Sequence, residues 1–340
     1  ESLNQIDLSG IVSLTRKIIL MVLAIECIGG ILLSISFIPK FGIITGLAYG
    51  FFHSISAFCN AGFDLMGSIS GEFSSLTSFY DNSFIMITVS LLIILGGLGY
   101  PVILDVLKNK RFSKLNVHSK LVIVSTAILL LIGFVFILGV EYNNPDTLGN
   151  MNMKGKVLSS IFQTSTLRTA GFATVDMASL HQATKFFMSI IMFIGGSPAG
   201  TAGGVKTVTF VIGLLYVRAL MRGDENIHVF KRTIDDQIVK RALTIMLISF
   251  AIALTGLFIL SISEQADFID LLFEVFSAFA TVGLTAGITP TLTFVGKIVI
   301  IILMYIGRIG PITMVLIFVR KYNAKKGKDV NYIKEHILIG

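Results

Sequence analysis

The sequence predicts an all-α integral membrane protein in which a unit of span, short helix and span repeats around a central axis. Hydrophobic residues make up 54% of the 340 residues and charged residues only 14%, which is too apolar a composition for a soluble protein of this length. Apolar runs long enough to cross a bilayer recur along the chain, and a motif built around one glycine occurs three times between them.

Six apolar runs have the length of roughly 20 residues that a helix needs to cross a hydrocarbon core of about 30 Å. They are residues 18–38, 83–104, 121–140, 186–217 (with a glycine-rich interruption), 242–263 and 298–319. Lysines and arginines cluster before the first run, after the second, between the fourth and fifth and after the sixth. The positive-inside rule therefore predicts that both termini of this chain are cytoplasmic.

The net charge of +7 is accounted for by this topology, so the expected partner of the basic residues is the lipid bilayer and no nucleic acid is expected. Cys27 and Cys59 each lie in an apolar segment, and a disulfide framework is not expected. No complete catalytic motif is present. The stretch GGVKT (203–207) lacks the glycine that a phosphate-binding loop places directly before its lysine. We therefore expect no enzyme.

The repeated motif has one glycine at the same place in each copy. The copies are SISAFCNAGFD (54–64), QTSTLRTAGFA (163–173) and VFSAFATVGLT (275–285), with glycines at Gly62, Gly171 and Gly283. Each copy lies between two spans on the non-cytoplasmic side, so the unit repeats in one orientation. Repeats of this kind suit an arrangement around a central axis, whereas many secondary transporters are built from inverted repeats.

The apolar segment before each glycine is too short to cross a membrane, and we expect short re-entrant helices at residues 47–58, 156–167 and 271–280. Non-helical backbone at membrane depth is stable only where it lines a watery cavity or is buried in protein. Glycine adopts positive φ without steric cost and can turn backbone carbonyls inward, where a ring of carbonyls replaces the hydration shell of an ion. The alternative for any single glycine is a helix cap.

The stretch GGSPAGTAGG (195–204) interrupts the fourth apolar run. Its small residues form a weakly packed backbone that offers hydroxyl groups, and Pro198 prevents a regular helix from continuing through it. We expect a loop inside the membrane that lines a cavity. The alternative is a kinked helix that packs closely through its small residues.

These motifs together resemble one family. AFCNAGF, TLRTAGF and SAFATVGLT, with GGSPAGTAGGVK and IGRIGPIT, are similar to sequences of the Trk/Ktr/HKT superfamily of potassium and sodium transporters, above all the membrane subunit of its bacterial Ktr branch. The likeness covers essentially the whole chain. It implies four M1–P–M2 units (span, pore helix, span) in one polypeptide around a central pore, with one filter glycine from each unit.

This sequence departs from the family by showing three units, which we place at residues 1–115, 116–235 and 236–340. The first residues, ESLNQ, resemble the linker that follows a first unit, so we expect that unit to be absent from this chain. In the plant branch of the family the filter position of the first unit separates potassium-selective from sodium-selective members. The choice between the two ions therefore stays open.

The resemblance implies a selectivity filter and a gate. Potassium would bind at the backbone carbonyls of a filter formed by Asn60, Ala61, Gly62, Thr169, Ala170, Gly171, Thr281, Val282 and Gly283. The gate would be an intramembrane loop below the filter, together with an arginine of the last span that faces the pore. Its residues are Gly195, Gly196, Ser197, Pro198, Ala199, Gly200, Thr201, Gly203, Gly204, Lys206 and Arg308.

The resemblance also implies the substrate and the partners. Potassium is the expected transported ion, sodium is a candidate activator, and no covalently bound cofactor is expected. The family assembles as a homodimer on a cytosolic ring of nucleotide-binding RCK subunits of the KtrA type, in the bacterial plasma membrane. The tail at residues 329–340 is a candidate docking or dimer-contact segment.

Four polar residues near the expected pore receive individual predictions. Arg308 is expected either to repel cations or to hold the loop through its carbonyls, because a buried arginine in a span is costly and marks function. The alternative is that its side chain snorkels towards the cytoplasm. We expect Glu26 to have a structural role, Asn60 to form hydrogen bonds behind the filter and Arg168 to brace the outer vestibule.

Two other functions remain as alternatives. A secondary transporter of a small solute would show inverted repeats and carboxylates at the membrane midplane, and the sequence shows neither. The ion-binding subunit of an ATP-driven potassium pump could share the pore architecture, and co-purification with an ATPase would distinguish it.

Overall fold

The structure is a computed structural model, and it describes residues 8–71, 73–224 and 226–310. The described chain is mostly helical. Its α-helices are α1 (Leu8–Phe41), α2 (Ile43–Phe58), α3 (Gly67–Ser70), α4 (Ser83–Leu98), α5 (Tyr100–Asn109), α6 (Val117–Glu141), α7 (Met153–Thr166), α8 (Gln182–Phe193), α9 (Thr207–Arg222), α10 (Asp236–Ser263), α11 (Phe268–Ala280) and α12 (Phe294–Ile309). The 3₁₀ turns are Thr77–Phe79, Phe112–Lys114 and Thr289–Thr291.

One small hairpin departs from the all-α prediction. Strands β1 (His228–Val229) and β2 (Arg232–Thr233) pair antiparallel, in the loop between α9 and α10. The predicted docking tail at residues 329–340 lies outside the described residues.

Membrane-length helices are present, as predicted. Among the described residues, α1, α6 and α10 are long and apolar enough to cross a bilayer, and the pair α4 and α5 would make a fourth crossing if counted as one span. The predicted run 186–217 is divided into α8 and α9 by its glycine-rich stretch, in agreement with the expected interruption. The sixth run, 298–319, extends beyond the described residues.

The prediction of one continuous span at residues 83–104 is wrong. Helix α4 ends at Leu98, α5 begins at Tyr100, and the two axes meet at an angle of 99°. The residue between them, Gly99, has φ 89° and ψ 141°, a backbone conformation that glycine adopts without steric cost. Pro101 then occupies the first turn of α5, where its missing N–H costs nothing.

The three short helices exist where the sequence predicts them. Helices α2, α7 and α11 end at or next to the predicted ends and begin a few residues before the predicted starts. The side chain of Asn152 caps α7 by accepting from Gly155 N at 2.6 Å, which is the preferred way to satisfy a free N–H at a helix start.

Small residues bring α1 and α2 together as an antiparallel pair. A Cβ added to Gly50 would collide with the hydroxyl of Ser34, and one added to Gly46 would lie 2.6 Å from the backbone of Ile38. Such close approach is typical of helix packing in membranes, where small residues let backbones meet. The pair packs on α4, and the buried cluster that includes Leu33, Phe58 and Ile93 fixes the end of α2.

Candidate functional site

The three glycine motifs have the same backbone conformation. In each, φ is positive at the glycine and at the residue two positions before it: 50° at Asn60 and 71° at Gly62, 69° at Thr169 and 93° at Gly171, 56° at Thr281 and 91° at Gly283. Positive φ is rare for a threonine, because the branched Cβ crowds the backbone. Two strained threonines at the same place in different repeats indicate a shape imposed by function.

The three glycines lie next to one another although they are far apart in sequence. A Cβ added to Gly62 would collide with the carbonyl oxygen of Ala170 and lie 3.0 Å from the Cα of Gly171. A Cβ added to Gly171 would collide with the carbonyl oxygen of Val282. No other residue type fits either position, and the three motifs therefore lie side by side, the second between the first and the third.

All three glycines line one outer cavity of about 330 Å³. The residues two positions after each glycine, Asp64, Ala173 and Thr285, also line it, and so does Asp176. Two carboxylates at the rim of a cavity raise the local concentration of cations. The cavity therefore suits a positively charged ligand better than an anion.

The ring of motifs is open on one side. A groove of about 580 Å³ separates the first motif from the third and from α12. Its walls include Ala61 and Phe63 on one side and Thr281 and Tyr305 on the other. Phe63 is 71% exposed here, which is unusual for a phenylalanine beside a convergent backbone site.

The glycine-rich loop at residues 195–204 is pinned to the break between α4 and α5. Ser197 N donates to Gly97 O at 2.9 Å, and Thr201 N donates to Gly96 O at 3.3 Å. In the opposite direction, Tyr100 N donates to Ala199 O at 3.0 Å. The loop thus supplies hydrogen bonds that the broken helix lacks, and this is why a sharp break at membrane depth is stable.

The same loop lies directly against the first and third motifs. Thr201 donates from Oγ1 towards Phe58 O and Asn60 Oδ1, each at 3.2 Å. A Cβ added to Gly203 would collide with the hydroxyl of Thr281, and one added to Gly204 would lie 3.2 Å from the Cα of Ala280. The interruption is therefore a packed loop below the motifs, and not a kinked helix.

Two cations hold the loop through its carbonyls. Arg308 of α12 donates from Nη1 to Thr201 O at 2.5 Å, and Lys206 donates from Nζ to Ala202 O at 2.6 Å. The contact of Arg308 corresponds to the second of its two predicted roles. Both bonds are charge-assisted, the stronger class of hydrogen bond.

The predicted position of Arg168 is wrong. Its side chain is 2% exposed and lies behind the second motif, where it donates from Nη2 to Thr126 Oγ1 at 3.3 Å and to Thr207 Oγ1 at 3.1 Å. It does not reach the outer vestibule. A buried arginine needs several acceptors. Hydroxyl groups of α6 and α9 supply two of them at Nη2, whereas Nη1 has no hydrogen-bond partner among the described residues.

Asn60 behaves as predicted, and Glu26 gains a neighbour that the sequence did not indicate. Asn60 donates from Nδ2 to Arg168 O at 2.8 Å, which ties the first motif to the second from behind. Cys59 Sγ lies 3.7 Å from Glu26 Oε1. Both cysteines are free thiols.

The structure brings the predicted site residues together in two layers. The nine predicted filter residues form the three convergent motifs, and the predicted gate residues form the loop and its arginine beneath them. Sequence reasoning missed Gly96, Gly97 and Gly99, which carry the loop. Their signal is the similarity of GGLG (96–99) to GRIG (307–310), in which Gly99 corresponds to Gly310 and both have φ near 90°.

Membrane-length helices, three adjoining glycine motifs that line one cavity and a loop packed against these motifs are features of membrane transport proteins. The model of the TrkH family, which is described as a cation transport protein, matches residues 1–328 of this chain. The chain is 41% identical over 320 residues to Ktr system potassium uptake protein B of Bacillus subtilis, covering 94% of this chain and 71% of that protein. The chain belongs to the TrkH family of cation transport proteins.

Two further similarities agree. The chain is 39% identical over 344 residues to the potassium/sodium uptake protein NtpJ of Enterococcus hirae, covering 100% of this chain and 74% of that protein. The crystal structure of the potassium transporter TrkH from Vibrio parahaemolyticus has the same fold, with a TM-score of 0.69 at 17% identity. That alignment covers 88% of this chain and 63% of the solved chain.

Proposed function

We propose that this chain forms most of the pore of a potassium uptake protein. The observation that carries the proposal is that Gly62, Gly171 and Gly283 adjoin one another with positive φ and line one outer cavity. Backbone carbonyls at such a place replace the hydration shell of a monovalent cation. Relatives named as potassium uptake proteins support potassium as the transported ion.

The filter consists of the three motif segments: residues 60–62, 169–171 and 281–283. Each follows the end of a short helix, whose C-terminal dipole places partial negative charge near the ion path. The carboxylates of Asp64 and Asp176 concentrate cations at the outer mouth. Sodium is a second candidate ion, because the relative NtpJ is named a potassium/sodium uptake protein.

The gate consists of the loop at residues 195–206 and Arg308. The contacts of the loop with the first and third motifs support a position across the ion path. Arg308 places a positive charge there and holds Thr201 through its carbonyl. Release of this bond would free the loop to move, which opens the path.

The three segments belong to three M1–P–M2 units at residues 1–115, 116–235 and 236–340. The groove beside Phe63 and Thr281 suits a fourth unit of the same kind, and both termini of this chain are cytoplasmic. A cytosolic nucleotide-binding RCK ring is the proposed partner, with the membrane subunit as a homodimer. Relatives named as proteins of Ktr systems support this assignment.

Isotope uptake tests the proposal. The full-length protein in liposomes should take up potassium and rubidium in preference to sodium, and Gly171→Ser should weaken this preference, because its side chain would collide with Val282 O at a φ of 93°. Gly139→Ser is the matched control, because a Cβ there meets nothing within 4 Å. Uptake of neither cation, with the partner supplied, would contradict the proposal and favour the secondary-transporter alternative.

A further inference from the structure

Each of the three short helices carries a long or aromatic polar side chain that is buried and faces the chain just beyond its glycine. The residues are His53 in α2, Gln163 in α7 and Glu274 in α11, and none is more than 5% exposed. They differ in chemistry and share one feature, an atom that can accept a hydrogen bond.

In the first unit the acceptor is an imidazole nitrogen. Leu65 N donates to His53 Nε2 at 3.3 Å, and Nδ1 of the same ring lies 2.7 Å from Tyr49 O. A carbonyl can only accept, so Nδ1 carries the proton and Nε2 keeps its lone pair. The two bonds together fix both the orientation and the tautomer of the ring.

In the third unit the acceptor is a carboxylate. Glu274 accepts from the backbone N–H of Ala286. Its Oε1 also accepts from the hydroxyls of Thr285 and Thr289, the latter at 2.9 Å. One side chain therefore bonds to the backbone and to two side chains of the segment that follows Gly283.

In the second unit the acceptor is an amide oxygen. The hydrogen-bond network assigns the amide of Gln163 with its oxygen towards the loop, where it accepts from Thr174 N at 2.9 Å and from Val175 N at 3.3 Å. The opposite orientation would point the amide nitrogen at two backbone donors.

The three donors occupy the same position in the repeat. Leu65, Thr174 and Ala286 are each the third residue after their glycine. The residues just before them, Asp64, Ala173 and Thr285, line the outer cavity. Each of these hydrogen-bond ties therefore holds the segment after the glycine, which forms part of the cavity wall, against the short helix behind it.

A second tie acts on the carbonyl directly after the glycine in two of the units. Ser56 donates from Oγ to Phe63 O at 2.7 Å, and Ser277 donates from Oγ to Leu284 O at 2.6 Å. These carbonyls face the short helices, and therefore they do not face the convergent centre. The carbonyls left to meet an ion are those up to and including the glycine.

We propose that His53, Gln163 and Glu274 are positioning residues that set the ion selectivity of the site. Each does so by fixing the distance between its short helix and the segment that follows the glycine. The inference rests on the proposed function. Buried hydrogen bonds of this kind hold a single geometry in a packed environment. If the segment after the glycine were free to move, the carbonyls of the preceding motif could shift to coordinate an ion of a different size, and selectivity would fall.

The test compares variants that keep the reach of each acceptor with variants that shorten it. His53→Gln keeps an acceptor near the place of Nε2, whereas His53→Asn reaches only to the place of Nδ1. Glu274→Gln keeps its length, whereas Glu274→Asp and Gln163→Asn are one methylene shorter. The readout is the ratio of rubidium to sodium uptake by the full-length protein in liposomes, per amount of folded protein. His53 and Glu274 each give a pair of variants, and Gln163→Asn is compared with the wild-type protein. The three comparisons are independent, so a variant that fails to fold does not prevent the other comparisons from deciding the test.

We expect the short variants to lower the ratio about threefold to tenfold, the range that the loss of one hydrogen bond gives. The long variants should keep the wild-type ratio. Ser160→Ala is the matched control, because the buried hydroxyl of Ser160 has Lys156 O of its own helix, at 2.7 Å, as its one hydrogen-bond partner within the described residues. This variant should keep the ratio too.

The outcomes separate the inference from the proposed function. A selective wild-type protein whose short variants are equally selective overturns the inference alone. An equal loss in the long variants or in Ser160→Ala also overturns it, because reach would then not matter. A wild-type protein that takes up neither cation overturns the proposed function, and the inference falls with it.

Discussion

Arg168 donates from Nη2 to Thr207 Oγ1 at 3.1 Å, and that hydroxyl donates in turn to Gly195 O at 2.9 Å. Arg168 directly precedes the second filter segment, Gly195 begins the glycine-rich loop and Thr207 follows its end. One chain of hydrogen bonds therefore joins the segment to both ends of the loop. Its members are buried, and such a chain is strong because water does not compete for its donors and acceptors.

The energetic coupling of this pair is measurable. Thr207→Val keeps the shape of the side chain and removes the hydroxyl, which should lower the free energy of unfolding by about 1–3 kcal/mol because buried polar partners are left unmatched. Arg168→Met removes the guanidinium. In a double-mutant cycle from denaturation of the full-length protein, we expect a coupling energy of about 0.5–3 kcal/mol. Strictly additive effects would contradict the link.

The short helices and the backbone turn at each glycine motif follow from local sequence, and for that reason they could be predicted. Apolar runs of limited length, each followed by a glycine, specify a helix and a turn within a dozen or so neighbouring residues. The strained conformation of Thr169 and Thr281 agrees with a carbonyl-lined site. Among the described residues, the predicted spans failed at two glycines: at Gly99, where a helix is broken, and at Gly310, where α12 ends ten residues before the predicted end at residue 319.

The rest depends on contacts between distant parts of the chain. The break at Gly99 is stable because Ser197 and Thr201 bond to the end of α4. These partners are far from Gly99 in the sequence, so the residues around Gly99 cannot predict the break. The sequence predicted a position at the vestibule for Arg168 because an arginine in the ion path would repel a transported cation. The hydroxyls of Thr126 and Thr207 that accept from it come from other helices. Local patterns do not reveal such partners.

Removal of the Arg308 side chain should raise cation uptake. Arg308→Ala deletes a charge-assisted hydrogen bond to Thr201 O and a positive charge near the ion path. Bonds of that type contribute about 1.5–3 kcal/mol, enough to shift an open-to-closed equilibrium of the loop roughly tenfold or more. Rubidium uptake into liposomes measures the effect. The control is Lys297→Ala, an exposed lysine at the other end of α12, and equal uptake by Arg308→Ala and the wild-type protein would rule out a gating role.

Gly99→Ala should disturb both the glycine-rich loop and the break between α4 and α5. Its Cβ would lie 2.5 Å from Pro198 O, and positive φ costs a non-glycine residue about 1–2 kcal/mol. Gly71→Ala separates these effects, because Gly71 has φ 98° and meets nothing within 4 Å. We expect both variants to lose stability in thermal melts and only Gly99→Ala to lose cation uptake. Equal uptake losses would show that contact with the loop is irrelevant.

The stability of the contact between the end of α10 and the start of α12 depends on pH through Glu264. Its Oε2 accepts from Thr293 N at 2.9 Å, and its Oε1 accepts from Thr293 Oγ1 at 2.5 Å. Burial raises the pKa of this carboxyl, but the hydrogen bonds from Thr293, Ser263 and Gly296 outweigh burial and hold the pKa below its usual value. A group with a lowered pKa in the folded state stabilises the fold above its unfolded pKa of about 4.3, and this contribution is lost as the pH falls through the folded pKa.

Glu264→Gln tests this dependence, because it keeps the shape of the side chain and removes the charge. The melting temperature of the variant should be lower than that of the wild-type protein near pH 7, and the difference should shrink as the pH falls below about 4. Asp146→Asn, at an exposed position, should show no such convergence. A difference that stays constant from pH 7 to about 3 would mean that the carboxylate contributes through packing, because only an ionised group can lose its contribution on protonation.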